Sequence, residues 1–250
     1  MKPLIAPYIP AGAASLVVID YRADTEIENT LNESGIECLR TYSCSELYDS
    51  INGHPDIMLH HIGDNKIVLA PNVYDKLAPE LEKKGFALTK GATWLSRNYP
   101  GNIAYNVLRI GSIALHNTKH TDIRILEEFE KLNVKLIHTN QGYTKCSVCI
   151  VSESAIITSD RKISMEVEKH GIESLLIKPG GIELLGFEYG FIGGATGLIS
   201  EDTMAFSGAL DKMQDADKIL RFLESKKKKV KILMNKPICD IGSIVPLKCQ

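Results

Sequence analysis

Five polar residues recur at one kind of place in this 250-residue chain, each immediately before a short apolar run: Asp56, Asn102, Lys145, Glu188 and Asp240. Brought together, three carboxylates and a lysine suit a small cationic or zwitterionic ligand, because carboxylates balance a buried cation through charge-assisted hydrogen bonds. His60, His61, Tyr105 and Asn106 follow close behind. His60 and His61 are adjacent, so in a strand only one of them faces a given side. The ligand-binding set expected from the sequence is Asp56, His60, Asn102, Asn106, Lys145, Glu188 and Asp240. The same residues also fit solvated loop positions and helix caps.

The cysteines point elsewhere. Six are present, and in a cytosolic chain they are expected as free thiols rather than a disulfide framework. Cys146-Ser-Val-Cys149 has zinc-like spacing, but no second pair stands at a finger-like distance. In a strand an i, i+3 pair also points to opposite faces, so the two read as buried structural thiols. No metal centre and no cofactor are expected. The glycine-rich residues 190–197 match neither phosphate-binding pattern and precede a strand, where glycines mark close backbone approach.

A net charge of −2 argues against nucleic-acid and membrane-surface binding, both of which use a large positive field. The lysine run at 226–229 reads as the C-terminus of a helix. No signal-peptide core and no membrane-length apolar window is present, so the expected location is cytoplasmic, as a monomer or homodimer.

The elements that must position these residues form an internal repeat. An apolar strand, an amphipathic helix, a Gly or Asn stop and a second apolar strand recur five times, with a period of about 47 residues. Helices are expected to stop at Gly35, Gly85, Asn133, Gly171 and the lysine run, since Gly and Asn tolerate the left-handed conformation that ends a helix. Ile123, Ile125, Leu126, Phe129 and Leu132 form one core-facing stripe. Four units carry an additional strand upstream, expected over residues 57–60, 103–106, 146–150 and 189–192. The first unit has none, because residues 1–14 are proline-rich and not strand-like. The run at 241–245 is expected to supply it and close the units into a ring, removing two exposed sheet edges. The whole chain is thus expected to be one α/β domain.

Five ββαβ units closed by the C-terminal strand resemble the pentein propeller of the guanidino-group-modifying enzymes. That family includes arginine and agmatine deiminases, dimethylarginine hydrolases and amidinotransferases. His54-Pro-Asp-Ile-Met-Leu59 resembles its Pro-Asp segment, Pro100-Gly-Asn-Ile103 its Gly-Gly-Asp/Asn segment, and Asp240-Ile-Gly-Ser243 the approach to its C-terminal nucleophile. The resemblance implies a five-bladed α/β propeller in which the starts of the first strands converge on a central cavity. It also implies a nucleophilic cysteine, a proton-transferring histidine and carboxylates for a guanidinium.

At those positions the sequence differs. The nucleophile position falls at Val245 or Pro246, the histidine near Tyr143, and the acid near Tyr99 or Pro100. The expectation is therefore a small-molecule-binding protein with an axial site, without standard deiminase or amidinotransferase activity. Two alternatives stay open: an enzyme with reassigned residues, Cys249 being a candidate displaced nucleophile, and a macromolecular interaction module of the kind seen in the similar ribosomal anti-association factor. An ordinary parallel α/β protein is the remaining alternative for the fold.

Overall fold

The computed structural model describes residues 1–250. Its first unit comprises β1 (Lys2–Pro3), β2 (Ala14–Ile19), α1 (Thr25–Glu33) and β3 (Glu37–Arg40). The second contains α2 (Pro55–Met58), β4 (Leu59–Gly63), β5 (Lys66–Leu69), α3 (Pro71–Lys83) and β6 (Ala87–Lys90). The third contains β7 (Leu108–Ile110), β8 (Ile113–His116), α4 (Ile123–Lys131) and β9 (Lys135–His138). The fourth contains β10 (Val148–Ser152), β11 (Ala155–Thr158), α5 (Arg161–Glu168) and β12 (Glu173–Leu176). The fifth contains β13 (Thr196–Ser200), β14 (Thr203–Phe206), α6 (Ala216–Ser225) and β15 (Lys229–Ile232), followed by the last strand, β16 (Val245–Cys249).

Each unit is its own small sheet: an inner strand pairs antiparallel with a middle strand, which pairs parallel with an outer strand reached through the helix. In the first sheet the inner strand comes from the far end of the chain, with β16 antiparallel to β2 (Val245 opposite Val18, Pro246 opposite Val17). This closes the five-bladed, pentein-type α/β ring that the resemblance implies. Burial falls outward: β4 is buried throughout, whereas β9, β12 and β15 are half-buried at their two central residues and exposed at both ends. Most of the apolar core therefore lies on the inner and middle strands, with the helices packed outside.

The helix stops follow from backbone chemistry. Gly35, Gly85 and Gly171 take φ of 76°, 86° and 76°, and Asn133 takes 53°, each just past its helix. The fifth helix has no glycine there, and Lys227 adopts the left-handed conformation instead, at φ 57°. Aspartates at helix N-termini also tie neighbouring units. Asp122 caps α4 through Arg124 N and accepts from Ala92 N and Thr93 N beyond β6, and Asp215 at the start of α6 accepts from Lys178 N beyond β12.

Three expectations need correction. The inner strands begin later than the apolar runs suggested: β4 at Leu59, β7 at Leu108, β10 at Val148, β13 at Thr196 and β16 at Val245. Residues 55–58 instead form the short buried helix α2, and residues 101–106 and 144–147 form largely buried turns, because short apolar runs signal burial without choosing the backbone conformation. Residues 1–14 are not wholly strandless, since Lys2 and Pro3 pair with Cys249 and Lys248 on the other edge of β16. The α4 stripe is narrower than its period implied, because Ile125 and Phe129 are buried while Ile123 and Leu132 are largely exposed. No helix is long and apolar enough to cross a membrane.

Candidate functional site

The turns that precede the inner strands meet at one end of the ring. Asn106 is their organiser. Its Oδ1 accepts from the backbone N–H groups of Lys145 (2.9 Å) and Cys146 (3.1 Å), and its Nδ2 donates to the Asp56 carbonyl (3.1 Å). One amide therefore binds the turn of the second unit to the turn of the fourth. Cys146 Sγ then lies 3.0 Å from Asp56 Oδ2 and 3.1 Å from Asn106 Nδ2.

From the closing loop, Ser243 Oγ reaches Asp56 Oδ2 at 2.6 Å and the Gly193 carbonyl at 2.9 Å, and accepts from Lys145 Nζ at 2.8 Å. Ser243 sits at φ 80°, the left-handed region, so its place on the axis depends on a locally strained loop. The Tyr8 ring, from the N-terminal segment, lies 5.1 Å from Lys145 Nζ.

His54 completes the cluster. Its Nε2 is 3.9 Å from Asp20 Oδ2 and its Nδ1 is 3.8 Å from Asp240 Oδ1, too far for hydrogen bonds but close enough for charge to matter. Asp20 already has a two-pronged partner in Arg22 (2.6 and 2.9 Å). Asp240 accepts from Phe191 N and Gly242 N at 2.9 and 3.0 Å. A Cβ on Gly194 would fall inside the Asp240 carboxylate, and one on Gly242 would strike His54, so here glycine permits the close approach. A donor atom each from His54, Asp56 and Cys146 lies within 4.8 Å of the others, and all three residues are buried. His54 Nδ1 and Asp56 Oδ1 are buried with no hydrogen-bond partner.

The electrostatics follow from that burial. Desolvation, reinforced by Asp56 and Asp240, pushes the Cys146 thiol well above the usual range. Burial also raises the Asp240 carboxyl, opposed by His54 and reinforced by Asp56. As folded, the cluster therefore disfavours a thiolate unless positive charge enters.

A cavity of about 340 Å³ opens above the cluster, with His54, Cys146 and Asp240 at its base and Tyr48, Tyr143 and Phe191 among its walls. Its rim is aromatic: the Tyr48 and Phe187 rings meet at 5.7 Å, tilted by 43°, and Tyr143 lies 6.0 Å from Tyr99 and 6.3 Å from Phe191. No arginine or lysine lines it.

The structure distributes the sequence-nominated residues unevenly. Asp56, Asn106, Lys145 and Asp240 all stand at the cluster. Asn102 sits behind it, accepting from the Tyr143 hydroxyl at 2.8 Å. Glu188 is at the exposed rim. His60 faces elsewhere, its ring edge-on to Phe129 (5.5 Å) and Tyr8 (6.4 Å), and burial holds it well below the usual histidine range. His61 bonds the Asp64 carbonyl at the other end of β4.

Cys249 lies in β16 and lines a separate cavity, so the axial cysteine is Cys146. From the closing loop it is Ser243, rather than Val245 or Pro246, that touches the axial groups. His54, Cys146, Ser243 and Asp20 stand at the cluster without having been nominated as ligand residues from the sequence. A signal for His54 and Cys146 did exist, since His54 lies two residues before Asp56 and Cys146 directly follows Lys145.

Solved structures share this architecture. The inosamine-phosphate amidinotransferase StrB1 from Streptomyces griseus aligns with TM-score 0.58 at 12% identity, over 93% of this chain and 91% of that one. An agmatine deiminase from C. jejuni aligns at TM-score 0.53 and 11% identity, over 92% and 90%. DDAH from Pseudomonas aeruginosa aligns at TM-score 0.56 and 7% identity, over 88% and 92%. The fold is thus that of the guanidino-modifying penteins. No curated protein matches the sequence. A family model does match, over residues 18–245, and by that match the chain belongs to the family of unknown function DUF6873.

Proposed function

We propose that the protein binds a small organic cation with an apolar body in the axial cavity, its charged head directed at Asp56 and Asp240. The observation that carries this is a buried carboxylate at the base of an apolar cavity, Asp240, with a second, Asp56, behind the lining residue Cys146 and one of its oxygens lacking any partner. A buried carboxylate oxygen without a donor is costly, and an amidinium, guanidinium or ammonium group supplies donors and charge together. The lining has no cation to hold an α-carboxylate, which favours alkyl or aryl cations over zwitterionic amino acids. Tyr48, Tyr143 and Phe187 offer faces for the body and for cation–π contact.

Thermal unfolding in chelator-containing buffer, against arylalkyl guanidines, amidines, amines and amino acids, tests this. At a hundred times its dissociation constant a ligand stabilises by about 2.7 kcal/mol. The apolar cations are expected to raise Tm in the wild type and not in Asp56→Asn. Equal stabilisation by amino acids, or a shift that survives Asp56→Asn, would sink the reading.

A second reading is favoured by one observation, the proximity of Cys146 to His54 and Asp56. An incoming cation offsets the carboxylates that hold the thiol protonated. Cys146 would pass its proton to His54, and Sγ would bond to the electron-poor carbon of the bound amidinium group. The C–N bond to the leaving amine then breaks, and His54 returns the proton to that nitrogen. This amounts to guanidino-type chemistry with the cysteine supplied by the fourth unit. Alkylation by a haloacetamidine is expected to label Cys146 faster than neutral iodoacetamide does, with the site mapped by mass spectrometry. Equal rates, or labelling elsewhere, would refute it.

A further inference from the structure

The geometry points to a metal site: we propose that His54, Asp56 and Cys146 bind a thiophilic divalent cation, zinc in type, in competition with any organic cation at the ring axis. This goes beyond the proposed function and does not depend on it. Two independent observations support it. The first is the donor set, one imidazole, one carboxylate and one thiol from two different units, all buried and with donor atoms within 4.8 Å of one another. Zinc bound at its usual 2.0–2.3 Å would hold such donors about 3.5 Å apart, so closure by roughly an ångström completes the site. The second is that His54 Nδ1 and Asp56 Oδ1 are buried without any partner. Buried polar atoms are otherwise nearly always satisfied.

The surroundings fit a metal as well. Metal-bound histidines usually give their second nitrogen to a carboxylate. Here the unpartnered nitrogen of His54 is Nδ1, and Asp20 stands 3.9 Å from Nε2, so Nδ1 can ligate with a carboxylate behind the opposite nitrogen. Charge agrees: the Cys146 thiolate, Asp56 and Asp240 against Lys145 leave two negative charges for a divalent cation, while Arg22 already pairs Asp20. On ligation the thiol proton leaves to solvent and Sγ bonds the metal. A nitrogen–sulfur–oxygen set selects zinc or cobalt over magnesium and calcium, which take oxygen. Three protein ligands leave the fourth position toward the cavity, whose base His54 and Cys146 form.

Cobalt(II) titration of chelator-stripped full-length protein, followed by absorption, tests this. The expected result is a thiolate-to-cobalt charge-transfer band and tetrahedral d–d bands, saturating at one metal per chain and displaced by zinc. Cys146→Ser, with circular dichroism confirming its fold, is expected to abolish the charge-transfer band. Asp20→Asn, which neutralises the carboxylate behind Nε2 of His54, is expected to weaken binding by about 10–100-fold. Absence of the band, or a band that survives Cys146→Ser, overturns the proposal. Metal is read here without organic ligand and the organic cations are read in chelator, so each idea fails separately.

Discussion

The inner strands have two ends, and each end of the ring carries a cavity, carboxylates and a cysteine. At the hairpin end the cavity is the larger, about 840 Å³, bounded by the N-terminal segment and Cys249 with Asp64, Glu153 and Glu201 on its edge. Those three acids are exposed on hairpin turns, so water already satisfies them. At the other end the cavity is about 340 Å³, yet His54, Asp56, Cys146 and Asp240 beneath it are buried and partly unpaired. Volume therefore does not single out the candidate site. Desolvated polar atoms without partners do, because burying them costs free energy that a ligand can recover.

The largest expected effect is that of pH, and it acts at both ends. His61 bonds a hairpin carbonyl at one end, whereas His116 holds the Gly142 carbonyl at the other (3.0 Å), and burial lowers each from 6.5 to about 4. Each binds fewer protons folded than unfolded between those values, so stability falls as pH drops from about 6.5 to 4, by on the order of 3 kcal/mol per histidine. Asp240, with its carboxyl raised, works in the opposite direction, destabilising the fold as pH climbs through its titration. Denaturant unfolding at pH 7 and pH 4.5 measures this, and His61→Gln and His116→Gln should each remove part of the slope. A pH-independent midpoint would mean that the two ends are not held by neutral histidines.

The strand joining the ends comes next. Leu247 on β16 is fully buried in the core, and Leu247→Ala is expected to cost about 2–5 kcal/mol in chemical denaturation. A loss below about 1 kcal/mol would argue against ring closure as a main source of stability. The carboxylates then divide the ends by ligand. Asp56→Asn should erase the roughly 2.7 kcal/mol of cation-induced stabilisation, while Glu201→Gln at the hairpin end leaves it intact. The reverse result would exchange the roles of the cavities. Smallest is Phe187→Ala on the half-exposed rim, which should change stability by no more than about 0.5 kcal/mol and register only as weaker ligand binding.

The site was legible in part. Asp56, Lys145 and Asp240 were visible because each precedes an apolar run at an equivalent place in its unit, and the structure brings those places together. Cys146 was read as an inert partner of Cys149 because strand alternation was applied to it, but it lies in the turn just before β10. His60 looked accessible because the run around it was assigned to the ring's interior, and its side chain instead packs on Phe129 and Tyr8.

The sequence by itself determined the five units, their helix stops and the closure by the C-terminal strand. Those features rest on local chemistry: periodic apolar residues, and residues able to take φ near 76° or 53° where a helix must end. Only the tertiary structure decided where each inner strand begins and which cysteine reaches the axis. Asp56 meets Cys146 across 90 residues and Ser243 across 187, and the Asn106 amide that links the two turns acts only once both have arrived. Contacts of that range leave no mark in local propensity, because their energy comes from groups that become neighbours only when the ring closes.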